Sequence, residues 1–168
     1  MCRLPIWTAI LTFYFAGSAP AETSSEGSSS LSLDQARAIV APLYEALNEP
    51  AKKDVESLLT KTTSPDFRSC TGEDNCVDRD TAIAGFKALG EIVPDLQWAV
   101  RDILVAGDQI VVRGEATGTP AKPFVGVDPS GKAFKVMSID IHSVEDGRVA
   151  RTFHLEDWAT GLRQLTAN

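Results

Sequence analysis

The spacing of apolar residues changes once along the chain, from a helical period to a strand period. Between residue 32 and about residue 94, apolar positions recur every three or four residues, as in helices that bury one face. This pattern predicts three helices: one begins at a capping box of Ser32 and Gln35, a short one follows Pro50, and one is capped by Asp80 and ends near Gly90. Their apolar faces contain, in turn, Ile39, Val40, Leu43, Tyr44 and Leu47, then Val55, Leu58 and Leu59, then Ile83, Phe86 and Leu89.

After residue 95 apolar and polar residues alternate, which is the period of half-buried strands. The predicted strands are 96–105, 109–119, 133–144 and 148–156, with a brief extended piece at 66–69. Short turns containing Gly and Asp join the first pair and the last pair of these strands, so each pair forms an antiparallel hairpin. A final amphipathic helix starts at Glu156 or Asp157. Helices followed by antiparallel strands indicate an α+β domain.

The last hairpin carries both histidines of the protein, His142 and His154. The length of its loop, which contains Asp146 and Gly147, determines which residues face each other. A three-residue loop with a glycine bulge places Asp140 opposite His154. A two-residue loop shifts the register by one position and breaks that pair. The hypothesis for the site depends on the three-residue form.

In that register five polar side chains share one face of the hairpin. The polar face carries Ser138, Asp140, His142, Thr152 and His154, and the opposite face carries Ile139, Ile141, Phe153 and Leu155. The polar face has two interpretations, the solvated outside of a sheet or the wall of a pocket.

In a pocket, Asp140 would accept a hydrogen bond from one nitrogen of His154 and leave the other nitrogen free to take a proton near neutral pH. His154, Asp140 and His142 are therefore the candidate catalytic residues, with His154 as the base. No cofactor is expected. No metal site is expected either, because two histidines and one carboxylate lack a further ligand.

The N-terminal residues have the composition of an export signal. A short basic start precedes an apolar run at 6–16, which is shorter than the roughly 20 residues that span a bilayer. Ala19-Pro20-Ala21 then forms a small-residue cleavage pattern. The expected organisation is a signal peptide at 1–21, a flexible linker at 22–31 and one domain at 32–168. Cleavage leaves a periplasmic or secreted protein with no membrane segment; the alternative is a retained N-terminal anchor.

Export also determines the state of the cysteines. Cys2 leaves with the signal, and Cys70 and Cys76 remain as a pair. In an oxidising compartment we expect these two to form a disulfide.

Composition excludes one class of partner. The net charge of −7 and the pI near 4.8 leave no clustered basic face to bind phosphates, so nucleic acid is not expected to bind. The length of 168 residues, with 43% hydrophobic content, suits a single core.

Three ordered stretches in the second half of the chain carry a family resemblance. They are Gly118-Thr119-Pro120 with the segment from Pro123 to Lys132, the segment from Ile141 to Val149, and Asp157 with the segment from Gly161 to Leu165. Together they resemble the SnoaL-like polyketide cyclases, also called ester-cyclase-like proteins, of the nuclear-transport-factor-2-like superfamily. The resemblance spans roughly residues 33–165.

The resemblance implies a cone-shaped, curved antiparallel sheet packed against N-terminal helices, with a small-molecule cavity and often a homodimer formed through the sheets. In the family's cyclases an aspartate on the last strand removes a proton next to a carbonyl during aldol ring closure, and a histidine on the preceding strand assists. The aspartate's position falls at His154 and the histidine's at Asp140, so the pair is exchanged here. The position of a helping asparagine falls near Ser69. The candidate ligand-binding residues are Tyr44, Phe67, Ser69, Phe86, Trp98, Phe124 and Phe134.

These features leave three functions open. The first is a cofactor-free enzyme that acts on a small carbonyl or polyketide-like compound. The second is a binding protein that sequesters a small apolar ligand in the same cavity. The third is an accessory subunit that uses the sheet face for a partner protein.

Overall fold

The computed structural model of the protein describes residues 31–167. The predicted signal peptide, most of the linker and Cys2 lie outside these residues. The helices are α1 Leu33–Ala46, α2 Val55–Thr62, α3 Arg79–Ile92 and α4 Trp158–Thr166. The strands are β1 Thr63–Gly72, β2 Asn75–Asp78, β3 Gln97–Ala106, β4 Gln109–Gly118, β5 Phe134–Glu145 and β6 Arg148–Glu156. None of the helices in this described range is long and apolar enough to cross a membrane.

Local capping signals explain where the helices begin. The Ser32 hydroxyl accepts from the backbone N–H of Gln35, and the Gln35 side chain accepts from that of Ser32, which confirms the capping box of α1. The cap predicted for α3 is wrong. Asp78 accepts from the backbone N–H of Thr81 at 2.9 Å, while Asp80 lies in the first turn. Asp78 holds the N-cap because its backbone is still extended at the end of β2.

The six strands form one curved sheet in the order β2-β1-β6-β5-β4-β3. The four strands predicted between residues 96 and 156 are confirmed to within one residue at each end. Two features were not predicted: the extended piece at 66–69 belongs to the ten-residue β1, and the segment around the cysteines folds back as β2. The sheet is antiparallel, as expected, at every neighbouring pair except one, because β1 and β6 run parallel.

The hairpin of β5 and β6 has the predicted register at the site but not the predicted loop. Glu145 faces Arg148, so the loop is the two-residue form; Asp146 and Gly147 both have positive φ, as a tight hairpin turn requires. Ala150 is then an extra residue in β6, which moves the register by one position. Beyond this bulge Asp140 faces His154 and His142 faces Thr152, as predicted.

The helices cover the concave face of the sheet. One core cluster joins α1 to β4 and β5 through residues such as Val40, Leu43 and Val112, and it includes Leu165 of α4. A second cluster joins α2, α3 and β1. The predicted C-terminal helix is confirmed, with Asp157 as its N-cap.

The cysteines bond across the β1–β2 hairpin, where Cys70 and Cys76 face each other directly. Cys70 is fully buried, and its other neighbour in the sheet is Phe153 of β6. The disulfide therefore ties the edge strand β2 to the strand that borders the site.

We expect the double variant Cys70→Ser, Cys76→Ser to lose about 2 kcal/mol of unfolding free energy, because the open loop gives the unfolded chain more freedom. Urea denaturation measures the loss. Dithiothreitol should lower the stability of the wild-type protein by a similar amount and leave the variant unchanged. Equal stability of the oxidised wild-type protein and the variant would contradict this account.

Candidate functional site

A cavity of about 150 Å³ lies between the helices and the concave face of the sheet. Its wall on the helix side is entirely apolar and consists of Leu43, Leu47, Leu59, Ala82, Phe86 and Leu89. On the sheet side, polar side chains from β1, β5 and β6 form a floor: Ser69, Asp140, Thr152, His154 and Glu156. The cavity can thus hold a molecule with an apolar body and a polar end.

The structure brings most of the predicted site residues to this cavity, but not all. Phe67, Ser69, Phe86, Trp98, Asp140 and His154 line it. Tyr44, Phe124, Phe134 and His142 do not. Tyr44 and His142 are buried beside the cavity, on the same side of the sheet as Asp140, and the hydrogen bonds described below hold them there.

Phe124 and Phe134 are instead in an aromatic cluster with Trp158. The three ring centroids lie 5.1–5.6 Å apart, and Trp158 meets both phenylalanines edge to face. Trp158 lines the cavity, and its indole Nε1 donates to Glu156 Oε2 at 3.2 Å. The two phenylalanines therefore support the wall of the cavity without forming its surface.

His154 is oriented by Glu156, not by Asp140 as expected. His154 Nδ1 lies 3.0 Å from Glu156 Oε1, which leaves Nε2 free. This hydrogen bond raises the pKa of His154, against the effect of burial, and the charge of Asp140 adds to the rise. Glu156 takes this position because it lies two residues along β6 on the same face as His154.

Asp140 is a buried carboxyl group at the cavity floor. It accepts a hydrogen bond from the Tyr44 hydroxyl at 2.8 Å, and only 5% of the residue is exposed. Burial raises the pKa of Asp140 to about 6, although the Tyr44 hydrogen bond opposes the rise. A carboxyl group with this pKa can take or give a proton near neutral pH.

A further hydrogen-bonded set lies beside the floor, on the same face of the sheet. His142 Nε2 is 3.0 Å from the Tyr44 hydroxyl, and His142 Nδ1 is 2.8 Å from the Thr152 hydroxyl. Burial lowers the pKa of His142 to about 4, so this imidazole is neutral at neutral pH. Burial and the charge of Asp140 raise the pKa of Tyr44 far above its usual range.

Close packing at Gly114 holds Trp98, which also lines the cavity, against Ser138. Trp98 Nε1 donates to the Ser138 hydroxyl at 3.0 Å, across Gly114. A Cβ atom at Gly114 would overlap both of those groups, so glycine is required for their contact.

Sequence reasoning missed Glu156, although the signal for it was present. Thr152, His154 and Glu156 are every second residue of one strand, so the face that holds the first two must also hold the third.

Within residues 31–167, no group of three or more His, Cys, Asp and Glu side chains has an arrangement that could hold a metal ion.

The curved sheet, the covering helices and the cavity between them define the nuclear-transport-factor-2-like class of folds. Within that class, the model of the SnoaL-like polyketide cyclase family matches residues 38–165, and the chain belongs to this family. The resemblance found in the sequence is thereby confirmed. No curated protein matches the chain in sequence.

Solved structures of several bacterial proteins are similar to this one. TsrD from Streptomyces laurentii is 27% identical with a TM-score of 0.71, over 82% of this chain and 99% of TsrD. IdmH from Streptomyces antibioticus, a candidate polyketide cyclase, is 29% identical with a TM-score of 0.67, over 78% of this chain and 98% of IdmH. AclR from Streptomyces galilaeus, a candidate hydroxylase, is 25% identical with a TM-score of 0.68, over 80% of this chain and 82% of AclR.

We expect Asp140→Asn to stabilise the fold at pH 7.5. Since folding raises the pKa of Asp140 to about 6, its stabilising contribution is present below about pH 4 and is lost as the pH rises through 6. The neutral amide avoids that loss, so the unfolding free energy at pH 7.5 should rise by up to about 3 kcal/mol, and the gain should shrink at pH 4.5.

Thermal and urea unfolding at the two pH values measure this gain. Asp128→Asn is the matched control, because it removes the same charge from an exposed position. If Asp140→Asn is no more stable than the wild-type protein at pH 7.5, burial of the ionised carboxylate does not destabilise the fold.

Proposed function

We propose that this protein is a cofactor-free enzyme that moves a proton next to the carbonyl group of a small organic molecule, in a cyclisation or an isomerisation. One observation carries the proposal: a carboxyl group and an imidazole, Asp140 and His154, face each other across two strands at the polar floor of an otherwise apolar cavity. The SnoaL-like family supports a fold of the cyclase and isomerase kind.

The surroundings of Asp140 and His154 favour a different chemical role for each of them. At neutral pH Asp140 is mostly ionised, while the hydrogen bond that His154 donates to Glu156 helps His154 to hold a proton. Asp140 therefore takes the proton from the carbon next to the carbonyl, and His154 stabilises the oxygen on which negative charge develops. This assignment reverses the roles expected from the sequence, in which His154 was the base.

The size of the cavity supports a small substrate. A void of about 150 Å³ is of the order that holds a single aromatic ring. Export is a further part of the proposal: a periplasmic or secreted location supplies the oxidising conditions in which the Cys70–Cys76 bond persists.

We expect the catalysed rate to have a bell-shaped pH profile. The rate should rise as Asp140 ionises, around pH 6, and fall at higher pH as His154 loses its proton. Deuterium exchange next to the carbonyl of small ketones such as cyclohexanone and acetophenone, followed by proton NMR, measures this rate without knowledge of the natural substrate. Glu156→Gln should move the high-pH limb to lower pH, because it removes the main cause of the raised pKa of His154.

Variants of the two groups test the same chemistry. Asp140→Asn should lower the rate about 100-fold or more, and His154→Gln should lower it about tenfold or more, while Asp128→Asn should leave it unchanged. A wild-type protein without exchange above the buffer rate, or an Asp140→Asn variant at full rate, would refute the enzymatic proposal. Retention of a bound small molecule by such a protein would favour the binding function.

We propose in addition that two copies of this chain pair through the convex face of the sheet. This face exposes a row of apolar side chains, among which Leu155 is 71% exposed and Leu104 is 66% exposed. The same face carries both signs of charge: Arg113 is paired with Asp102, and Glu115 with Arg101 and Lys135. A face of this kind can complement its own copy about a twofold axis.

We expect Leu155→Arg to convert a dimer into a monomer, because a charge in the centre of the apolar face would be buried without a partner. Light scattering after size-exclusion chromatography measures the mass. Leu162→Arg, at an exposed position on α4, is the control and should remain dimeric. A monomeric wild-type protein at micromolar concentration, or a dimeric Leu155→Arg variant, would disprove pairing through this face.

A further inference from the structure

We infer that Tyr44, His142 and Thr152 form a directional hydrogen-bond relay that positions Asp140, so that one defined carboxylate oxygen faces the substrate. The relay begins and ends at the cavity. Thr152 and Asp140 line it, whereas Tyr44 and His142 are buried beside it. Three contacts of 2.8–3.0 Å connect the four side chains.

The direction of the relay follows from the proton count of its members. Tyr44 has one hydroxyl proton, and an ionised Asp140 can only accept, so this proton lies on the contact to Asp140 Oδ2. The Tyr44 oxygen must then accept from His142, which places the imidazole proton on Nε2. Since His142 is neutral, Nδ1 carries no proton and accepts from the Thr152 hydroxyl.

The geometry has a consequence for the reaction, and in this respect the inference rests on the proposed function. Because Oδ2 already accepts from the Tyr44 hydroxyl, we assign the transfer of the substrate proton to Oδ1; the Ser138 hydroxyl is a second donor to this carboxyl group. Tyr44, His142 and Thr152 are therefore positioning residues. His142 acts through Tyr44 and does not need to reach the cavity.

The relay also explains how these polar groups tolerate burial. His142 is fully buried, and both of its ring nitrogens have partners. A buried network in which each member is satisfied holds one arrangement, whereas the loss of one hydroxyl leaves its neighbour unpaired. For this reason the Thr152 hydroxyl can affect Asp140 through His142 and Tyr44, although it makes no hydrogen bond to Asp140 itself.

NMR tests the relay without a substrate. In the wild-type protein the ¹⁵N shifts of His142 should show a protonated Nε2 and an unprotonated Nδ1. In Tyr44→Phe the ¹³C titration midpoint of the Asp140 carboxyl should move up by about one pH unit, because the carboxylate loses its donor. The other titratable groups that face Asp140 are His154 and Glu156 on β6, and both remain in this variant.

Thr152→Val is the sharper variant, because Thr152 has no hydrogen bond to Asp140. Without the Thr152 hydroxyl, the His142 proton should move to Nδ1, Nε2 should accept from Tyr44, and the Asp140 midpoint should again move up. Thr152→Ser should restore the wild-type midpoint. Thr117→Val, on β4, is the matched control and should change neither signal.

A wild-type His142 protonated on Nδ1 would overturn the relay, and so would an Asp140 midpoint that Thr152→Val leaves in place. Should Tyr44→Phe fail to fold, the comparison of valine and serine at position 152 decides. The outcome is separate from that of the proposed function. An intact relay in a protein that exchanges no ketone protons would refute the enzyme and leave the relay in place.

Discussion

The extra residue at Ala150 determines which side chains of β6 face the cavity. Val149 faces inward, and regular alternation from there would turn Arg151, Phe153 and Leu155 inward as well. Because Ala150 is a bulge, the parity changes, and Thr152, His154 and Glu156 lie on the concave face instead. Three features all depend on this single irregularity: the opposition of Asp140 and His154, the neighbouring relay, and the orientation of His154 by Glu156.

The bulge produces an inversion of the usual arrangement of a half-buried sheet. Around the site, polar residues face the helices while Ile141 and Leu155 are exposed on the convex face. Two different interactions offset the free-energy cost of burying polar groups and exposing apolar ones. Hydrogen bonds satisfy the polar groups inside. Burial nevertheless raises the pKa of Asp140, so the ionised form of this carboxyl group remains destabilised. The exposed apolar row on the outside is the feature that pairing with a second copy would remove from water.

Most features that depend on neighbouring residues were predictable from the sequence, apart from the α3 cap at Asp78 and the bulge at Ala150, and features that depend on distant contacts were not. The capping box at Ser32, the strand bounds and the two faces of the last hairpin follow from local spacing. The parallel pairing of β1 with β6 does not, because nothing in either strand specifies its partner. Tyr44 had the spacing of an ordinary core residue, and only the packing of α1 against β5 reveals its hydrogen bonds to Asp140 and His142. The register at the site was right, although the loop was wrong, because the bulge makes the same one-residue shift a few residues later.

The exchange of aspartate and histidine that the family resemblance implies fits the surroundings that this chain provides. An aspartate at position 154 would lie beside Glu156, where a like charge disfavours ionisation. A histidine there donates a hydrogen bond to the same carboxylate. Position 140 is more deeply buried and receives the Tyr44 hydroxyl, which a carboxylate can accept and a protonated imidazole cannot. Glu156 thus favours a protonated imidazole at position 154, and the Tyr44 hydroxyl partly offsets the burial that raises the pKa of the carboxyl group at position 140.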